Sequence, residues 1–315
     1  MKAVFLGASR FGLRCLKALL QLDDFTVEGV LTAPRKFSIS YRPTGVTNVL
    51  HEDIEGFCIA NNLPYLMLRN SMHDKALFER VKTWQPDMFL VVGWYHLVPR
   101  NWRELAPAFG LHASLLPDYS GGAPLVWAMI NGEKRTGITL FQLDDGVDSG
   151  PILGQRVAEI EEDDTIATLY ARIEELGLDL VNNLLPGLTN GSAKLTSQDH
   201  SKRRVFPQRG PEDGLVDWAQ SAAVLDRFVR AQTRPYPGAF TTWAGKRITL
   251  WKARQVPGER RLSGLRCGEV LQDSKAMLVN TSEGVLEILE ATYEGNVIAG
   301  SRLRNIVLEG AVLGA

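Results

Sequence analysis

From Lys2 to about Ile160, short apolar runs alternate with amphipathic stretches, a repetition of strand and crossover helix that predicts a parallel α/β sheet. The strand candidates are Ala3 to Leu6, Thr26 to Leu31, Met88 to Val92, Gly110 to Ala113 and Gly137 to Leu143. Each runs into turn or helix-start residues, so the exits are expected on one edge, where open α/β folds bind ligands. The first turn, Gly7 to Gly12, leads into a helix carrying Leu13, Leu16, Leu19 and Leu20. It lacks G-x-G-x-x-G, and no acidic residue closes a second strand about 20 residues on, which disfavours a nicotinamide cofactor.

Farther along, Asp163 to Leu188 reads as one long helix ending at Pro186-Gly187, with Ile166, Leu169, Ile173, Leu176, Leu180 and Leu184 on its apolar face. The polar stretch Ser192 to Gly214, with Lys202-Arg203-Arg204, Pro207, Gly210 and Pro211, has the composition of a linker. Beyond it the pattern changes. A short helix is expected from Ser221 to Ala231, then strands around Ala239 to Trp243, Arg247 to Trp251, Gly268 to Leu271, Ala276 to Val279 and Val285 to Ala291. Short strands between Gly-containing turns predict a small barrel or antiparallel sheet.

Composition narrows the function. Over 315 residues, 35 Lys and Arg face 36 Asp and Glu, so no global charge draws the protein to nucleic acid or anionic lipid. No apolar run is long enough to span a bilayer and the start lacks a secretory segment, so a cytoplasmic location is expected. Cys15, Cys58 and Cys267 are odd in number and have no zinc spacing, which suits reduced thiols and no metal site.

Among the histidines, His112 is distinct because it ends a strand ahead of the Gly121-Gly122-Ala123-Pro124 loop, exposed at the ligand edge as a proton donor or acceptor. The exit of the next strand, Asp144 to Gly150, carries Asp148, and adjacent strand ends would bring that carboxylate to His112 to fix the imidazole tautomer. Asp144 and Asp145 read better as turn residues. With no Ser or Cys in a nucleophile elbow, noncovalent acid-base chemistry is expected over an acyl-enzyme.

The segment from His112 to Leu153, HASLLPDYSGGAPLVWAMINGEKRTGITLFQLDDGVDSGPIL, resembles the signature of formyltransferases that use 10-formyltetrahydrofolate, the group holding methionyl-tRNA formyltransferase and the sugar N-formyltransferases. The likeness extends over nearly the whole chain, including Asp217-Trp218 and Pro235 to Phe240. It implies a Rossmann-like formyltransferase domain over residues 1–200, a linker over 201–214 and a small β-rich, OB-like domain over 215–315. It also implies attack of a substrate amine on the formyl carbon, with His112 removing the amine proton and stabilising the oxyanion while Asp148 orients His112. Gly93, Trp94, Tyr95, His96 and Leu97 would form one wall of the folate pocket, and Leu143, Asp144, Asp145, Gly146 and Val147 the other. Ser114, Leu115, Leu116, Pro117, Gly121 and Gly122 would form the substrate loop.

One position departs from that family: Gly110 stands where its third catalytic residue is an asparagine. Losing one oxyanion donor costs about 100- to 1000-fold in rate. Either His96, Tyr95 or a backbone N–H replaces the donor, or the glycine makes room for a different substrate or donor; retained transfer is favoured over a folate-binding protein or a 10-formyltetrahydrofolate hydrolase. For the acceptor, 14 Lys and Arg against 12 Asp and Glu from Phe206 onward give little charge to hold tRNA. The loop Thr32 to Tyr41 also lacks a long basic insertion, and Arg35, Lys36 and Arg42 are available to a phosphate. A nucleotide-linked amino sugar is therefore expected, with tRNA as the alternative, no membrane partner and a possible homodimer.

Overall fold

The computed structural model describes residues 1–39, 42–258, 264–272 and 276–314, so Ser40 and Tyr41 of the candidate phosphate loop, with the side chain of Arg42, lie outside the described residues. The chain divides into two compact units, the first comprising Met1–Gly121, Thr136–Ala158 and Ala171–Val205. In chain order its strands are β1 (Lys2–Gly7), β2 (Thr26–Thr32), β3 (Lys36–Ile39), β4 (Arg42–Thr47), β5 (Tyr65–Met67), β6 (Met88–Val92), β7 (Ala108–His112), β8 (Ser120–Gly121), β9 (Arg135–Gln142), β10 (Ile152–Glu159) and β11 (Val205–Phe206). Seven form one sheet in the order β10-β9-β7-β6-β1-β2-β5. The pairs β1 with β2, β1 with β6, β2 with β5 and β6 with β7 are parallel, the sheet the alternating pattern predicts and the Rossmann-like domain the family resemblance implies.

Ala3 to Leu6 have no solvent exposure, as a central strand covered on both faces requires. The helices are α1 (Arg10–Leu19), α2 (Ile54–Ala60), α3 (Lys75–Lys82), α4 (Arg100–Leu105), α5 (Pro124–Ile130), α6 (Ile166–Leu184) and α7 (Pro186–Thr189). Ser9 caps α1 by accepting the Gly12 N–H at 3.0 Å, and Cys15, Leu16 and Leu19 turn its buried face inward. Glu174 of α6, buried, binds Arg10 and Arg14 of α1 at 2.9 and 3.1 Å. The long helix expected to Leu188 ends at Leu184, and Pro186 starts the separate turn α7 as its first residue.

The sheet corrects one expectation. β9 runs antiparallel to β7, with His112 opposite Thr139 and Phe109 opposite Gln142, so its exit does not share the edge of the parallel strands. β9 and β10 are neighbours joined by a short loop that closes where the Gln142 N–H donates to Pro151 O at 2.9 Å, a connection open only to antiparallel strands. The Leu143 N–H donates to Ala108 O, and the loop then turns back along β7 toward His112.

The second unit comprises Gly122–Arg135, Glu159–Tyr170 and Phe206–Ala315. It contains α8 (Ala222–Gln232), capped by Ser221, and β12 (Ala239–Trp243), β13 (Lys246–Gln255), β14 (Val270–Gln272), β15 (Met277–Asn280), β16 (Val285–Tyr293) and β17 (Asn296–Ala299). These six strands form one antiparallel sheet, β12-β13-β16-β15-β14 with β17 on β16. Leu225 and Val229 of α8 join Trp218, Leu250, Ile288 and Leu303 in its core, where the indole of Trp218 donates to Thr241 Oγ1 at 3.0 Å. Within this unit α5 packs on α8.

Candidate active site

Alternation along β7 puts Ala108, Gly110 and His112 on one face. His112 Nε2 lies 2.8 Å from the carbonyl oxygen of Tyr119. A carbonyl only accepts, so Nε2 bears the hydrogen and the neutral ring carries its lone pair on Nδ1. Nδ1 faces Asp148 Oδ2 at 3.6 Å, with 11% and 19% of the two side chains exposed. The structure thus brings together the two residues singled out in the sequence, but the tautomer is fixed by the Tyr119 carbonyl and not by the carboxylate. Asp148 Oδ2 also accepts the Gly121 N–H at 2.8 Å. Asp148 itself adopts a left-handed backbone, φ +53°, a conformation aspartate reaches more readily than most residues.

Gln198 was not evident from the sequence. It is 7% exposed, and its Nε2 donates to the carbonyls of Asp148 and Gly150 at 3.0 and 2.6 Å. Arg203 donates to the carbonyl of Val147, and Arg204 makes a two-pronged pair with Asp118 at 2.6 and 2.5 Å while its guanidinium lies over the Tyr119 ring. Two of the three cations in the basic run are therefore engaged by loops beside His112. Lys202 pairs with Asp199.

The substrate-loop candidates line the chain between His112 and Asp148. Ser114 is buried and donates to Asp118 O at 2.7 Å, Leu115 packs at Gly137, Leu116 N–H donates to Thr139 Oγ1, and Pro117 O accepts Ser120 Oγ at 3.1 Å. Gly122 belongs to the second unit, where a Cβ on it would sit 2.4 Å from Gln208 Cα.

Gly110 is buried, and a Cβ built on it would meet Leu143 Cδ2 at 3.4 Å, Phe141 Cε1 at 3.5 Å and Leu143 Cγ at 3.7 Å. Those are hydrocarbon neighbours at ordinary contact distance, so Leu143 covers the place where an amide would project. Of the donors suggested to replace it, Tyr95 OH is engaged with Asn48 Oδ1 at 3.3 Å.

A second cluster forms at the end of β6, the parallel neighbour of β7. Phe37 of β3 packs on Tyr95 and His96 with ring centroids 5.3 and 5.1 Å apart, and Trp94 lies 5.3 Å from His96. Buried Asn48 ties Tyr95 to the β1–α1 turn by donating to Ala8 O at 2.9 Å. Trp94 Nε1 and His96 Nε2 are shielded from solvent and have no hydrogen-bond partner. Burial pushes the His96 imidazole below its ordinary pKa, leaving a neutral ring. Leu97 is exposed, whereas Gly93 serves packing: with φ +61° and a Cβ position 1.9 Å from Ser9 Oγ, only glycine fits.

The β9–β10 loop divides in two. Asp144 Oδ1 accepts the Gly146 N–H at 3.0 Å and Ser149 Oγ at 2.7 Å, and Asp145 is held by Arg100 and by Arg103, the latter at 2.6 Å. Those two guanidiniums hold the exposed Asp145 carboxyl down at about 2. Val147 is exposed. Among the described residues no cluster of three or more metal-binding side chains occurs, and no helix is long and apolar enough to cross a membrane.

An imidazole beside a carboxylate at the exit of β7, next to an aromatic wall whose ring nitrogens have no partner, is an arrangement that acid-base group transfer can use. Sequence comparison then identifies the group. Residues 1–184 match the formyl transferase family and residues 209–302 its C-terminal domain, so the chain belongs to the formyltransferases. A methionyl-tRNA formyltransferase of Solibacter usitatus is 34% identical over 94% of this chain and 92% of its own length. Among solved structures, the N-formyltransferase of Helicobacter canadensis in complex with folinic acid and dTDP-3-aminofucose is 16% identical, with TM-score 0.66 over 91% of this chain and 98% of its own. HypX of Aquifex aeolicus in complex with tetrahydrofolic acid is 20% identical, with TM-score 0.62, and covers 96% of this chain, which spans 47% of it.

Proposed function

We propose that this protein is a cytosolic enzyme that takes the formyl group of 10-formyltetrahydrofolate and places it on the α-amine of an aminoacyl-tRNA of the initiator methionyl type. The observation that carries the transfer is His112: its Nε2 is committed to the Tyr119 carbonyl, so Nδ1 is the basic atom, and Asp148 Oδ2 lies 3.6 Å from that same nitrogen. The bound donor supplies an electrophilic formyl carbon. On the protein side, Nδ1 of His112 would take the proton from the attacking amine, the Asp148 carboxylate would stabilise the imidazolium that results, and the same nitrogen would return the proton to N10 of the departing tetrahydrofolate as its bond to the formyl carbon breaks.

The unpartnered Trp94 Nε1 and His96 Nε2 fit a flat heteroaromatic pterin, whose faces stack on rings and whose edge both donates and accepts. Trp94, Tyr95, His96 and Leu143 would hold that ring system. Unpaired Cys15, Cys58 and Cys267 suit a reducing compartment.

The acceptor reading draws support from the full-length similarity to a methionyl-tRNA formyltransferase, at 34% identity against 16% for a sugar-modifying protein of the same fold. A nucleotide-linked amino sugar is the second reading, favoured by the short β3–β4 hairpin and by the nearly balanced charge of residues 206–315. The two separate in one experiment. The full chain is incubated with 10-formyltetrahydrofolate and either methionyl-tRNA or a dTDP-linked amino sugar, and products are weighed by mass spectrometry. Formyl-methionyl-tRNA is expected. Formylated sugar instead would replace the acceptor reading, and free formate without any formylated amine would overturn amine transfer altogether.

A further inference from the structure

Residues 198–204 carry no catalytic motif and read in the sequence as a polar, basic connection, yet three of its side chains, Gln198, Arg203 and Arg204, grip loops beside His112 or Asp148. Gln198 donates to the carbonyls on both sides of Ser149, Arg203 to the carbonyl of Val147. Three backbone carbonyls of the loop bearing the left-handed Asp148 are thereby fixed from one segment. On the other side, Arg204 pairs through two prongs with Asp118, lies 4.8 Å over the Tyr119 ring, and accepts the Ser120 N–H on its own carbonyl at 3.0 Å. Tyr119 is the residue whose carbonyl sets the His112 tautomer.

We infer that residues 198–204 form a strap whose positioning residues, Gln198 and Arg204, hold Asp148 and His112 in register. Gln198 acts through Asp148, and Arg204 through the Tyr119 carbonyl. Arg203 and Arg204 of the basic run thus align the site from within instead of standing as free cations for a polyanion. This inference rests on His112 and Asp148 being the reacting pair.

The test pairs spectroscopy with kinetics on the full chain. Nitrogen NMR of labelled histidine reads the His112 ring without any substrate. The wild type is expected to give an Nε2–H tautomer, R204L a mixture of tautomers, and Q198L an Nδ1 signal moved toward that of D148N. Where transfer is measurable, each variant should lose about 10- to 100-fold in kcat, the scale of an angstrom of misplacement, with KM within about twofold. Q198L should cost nothing further in a D148N background. K202A, whose lysine pairs with Asp199 within the same segment, should leave both readouts as in the wild type. If R204L does not fold, R204K, which keeps the charge but not the fork, carries that arm. His112 spectra of Q198L and R204K superimposable on the wild type would overturn the strap, as would an equal kcat loss from Q198L with and without Asp148. Because the spectra need no turnover, a failed strap and a failed transferase reading give different results.

Discussion

Two neighbouring strand exits meet the same solvent edge in opposite states. At the end of β7, His112 Nε2, the Asp148 carboxylate, the Asp148 carbonyl and Tyr119 O are all engaged inside the protein. At the end of β6, by contrast, two ring nitrogens shielded from water have nothing to bond. Buried polar groups left unpaired carry a cost of about 1–3 kcal/mol each, so a fold that keeps two of them side by side gains when a ligand arrives. The bonded groups around His112 resist displacement and suit proton transfer, where geometry must not drift, while the unpartnered Gln198 Oε1 and Arg203 Nε lie on the strap side of the Asp148 loop. An unsaturated aromatic wall suits binding. Under the proposed function the difference places chemistry at β7 and recognition at β6, and it can be broken by perturbing each separately.

The largest effect belongs to the β7 side. His112→Ala should lower kcat about 100- to 10,000-fold, the range of a lost general base, and leave donor affinity untouched in a binding titration. Next is the glycine between the two regions. Gly110→Asn alone drives its amide into Leu143, so turnover should change less than about threefold. Combined with Leu143→Ala it should rise about tenfold or more, toward the value of one oxyanion donor. A rate unchanged by the double variant would mean that transfer uses a donor elsewhere.

On the β6 side, Trp94→Leu should weaken tetrahydrofolate binding about three- to tenfold, the worth of one aromatic contact, with kcat held. The smallest effect is on stability. His96 is buried with a lowered pKa, so above its ordinary value both folded and unfolded chains keep it neutral and it contributes no pH dependence. As pH falls below that value, the unfolded chain takes the proton first and stability is lost until the folded pKa is passed. Thermal melts from about pH 7.5 to about pH 5.5 should therefore show a shallower decline in His96→Phe than in the wild type.

Much of this was legible from residue order. The apolar runs marked the central strands because buried parallel strands are apolar on both faces, and the short helix expected from Ser221 to Ala231 is α8, whose first turn Ser221 caps. His112 and Asp148 were visible as a strand-end pair. The direction of β9 was not, since alternation sets which face a residue takes and says nothing of which way the strand runs. β3 and β4, with Phe37, escaped notice because a short, mostly polar hairpin lacks a strong period. The tautomer of His112 depends on the carbonyl of Tyr119, a group every residue has, and Gln198 is one buried amide within a polar run. Their roles come from where the fold brings backbone and side chain together.

The division between a chemical exit and a binding exit is tested most directly by one paired measurement on His112→Ala: tetrahydrofolate affinity, from calorimetric titration, beside the single-turnover rate of formyl transfer. Affinity within about twofold of the wild type, with a rate down at least about 100-fold, is the result expected. A parallel loss of affinity and rate would place His112 in binding and contradict the assignment.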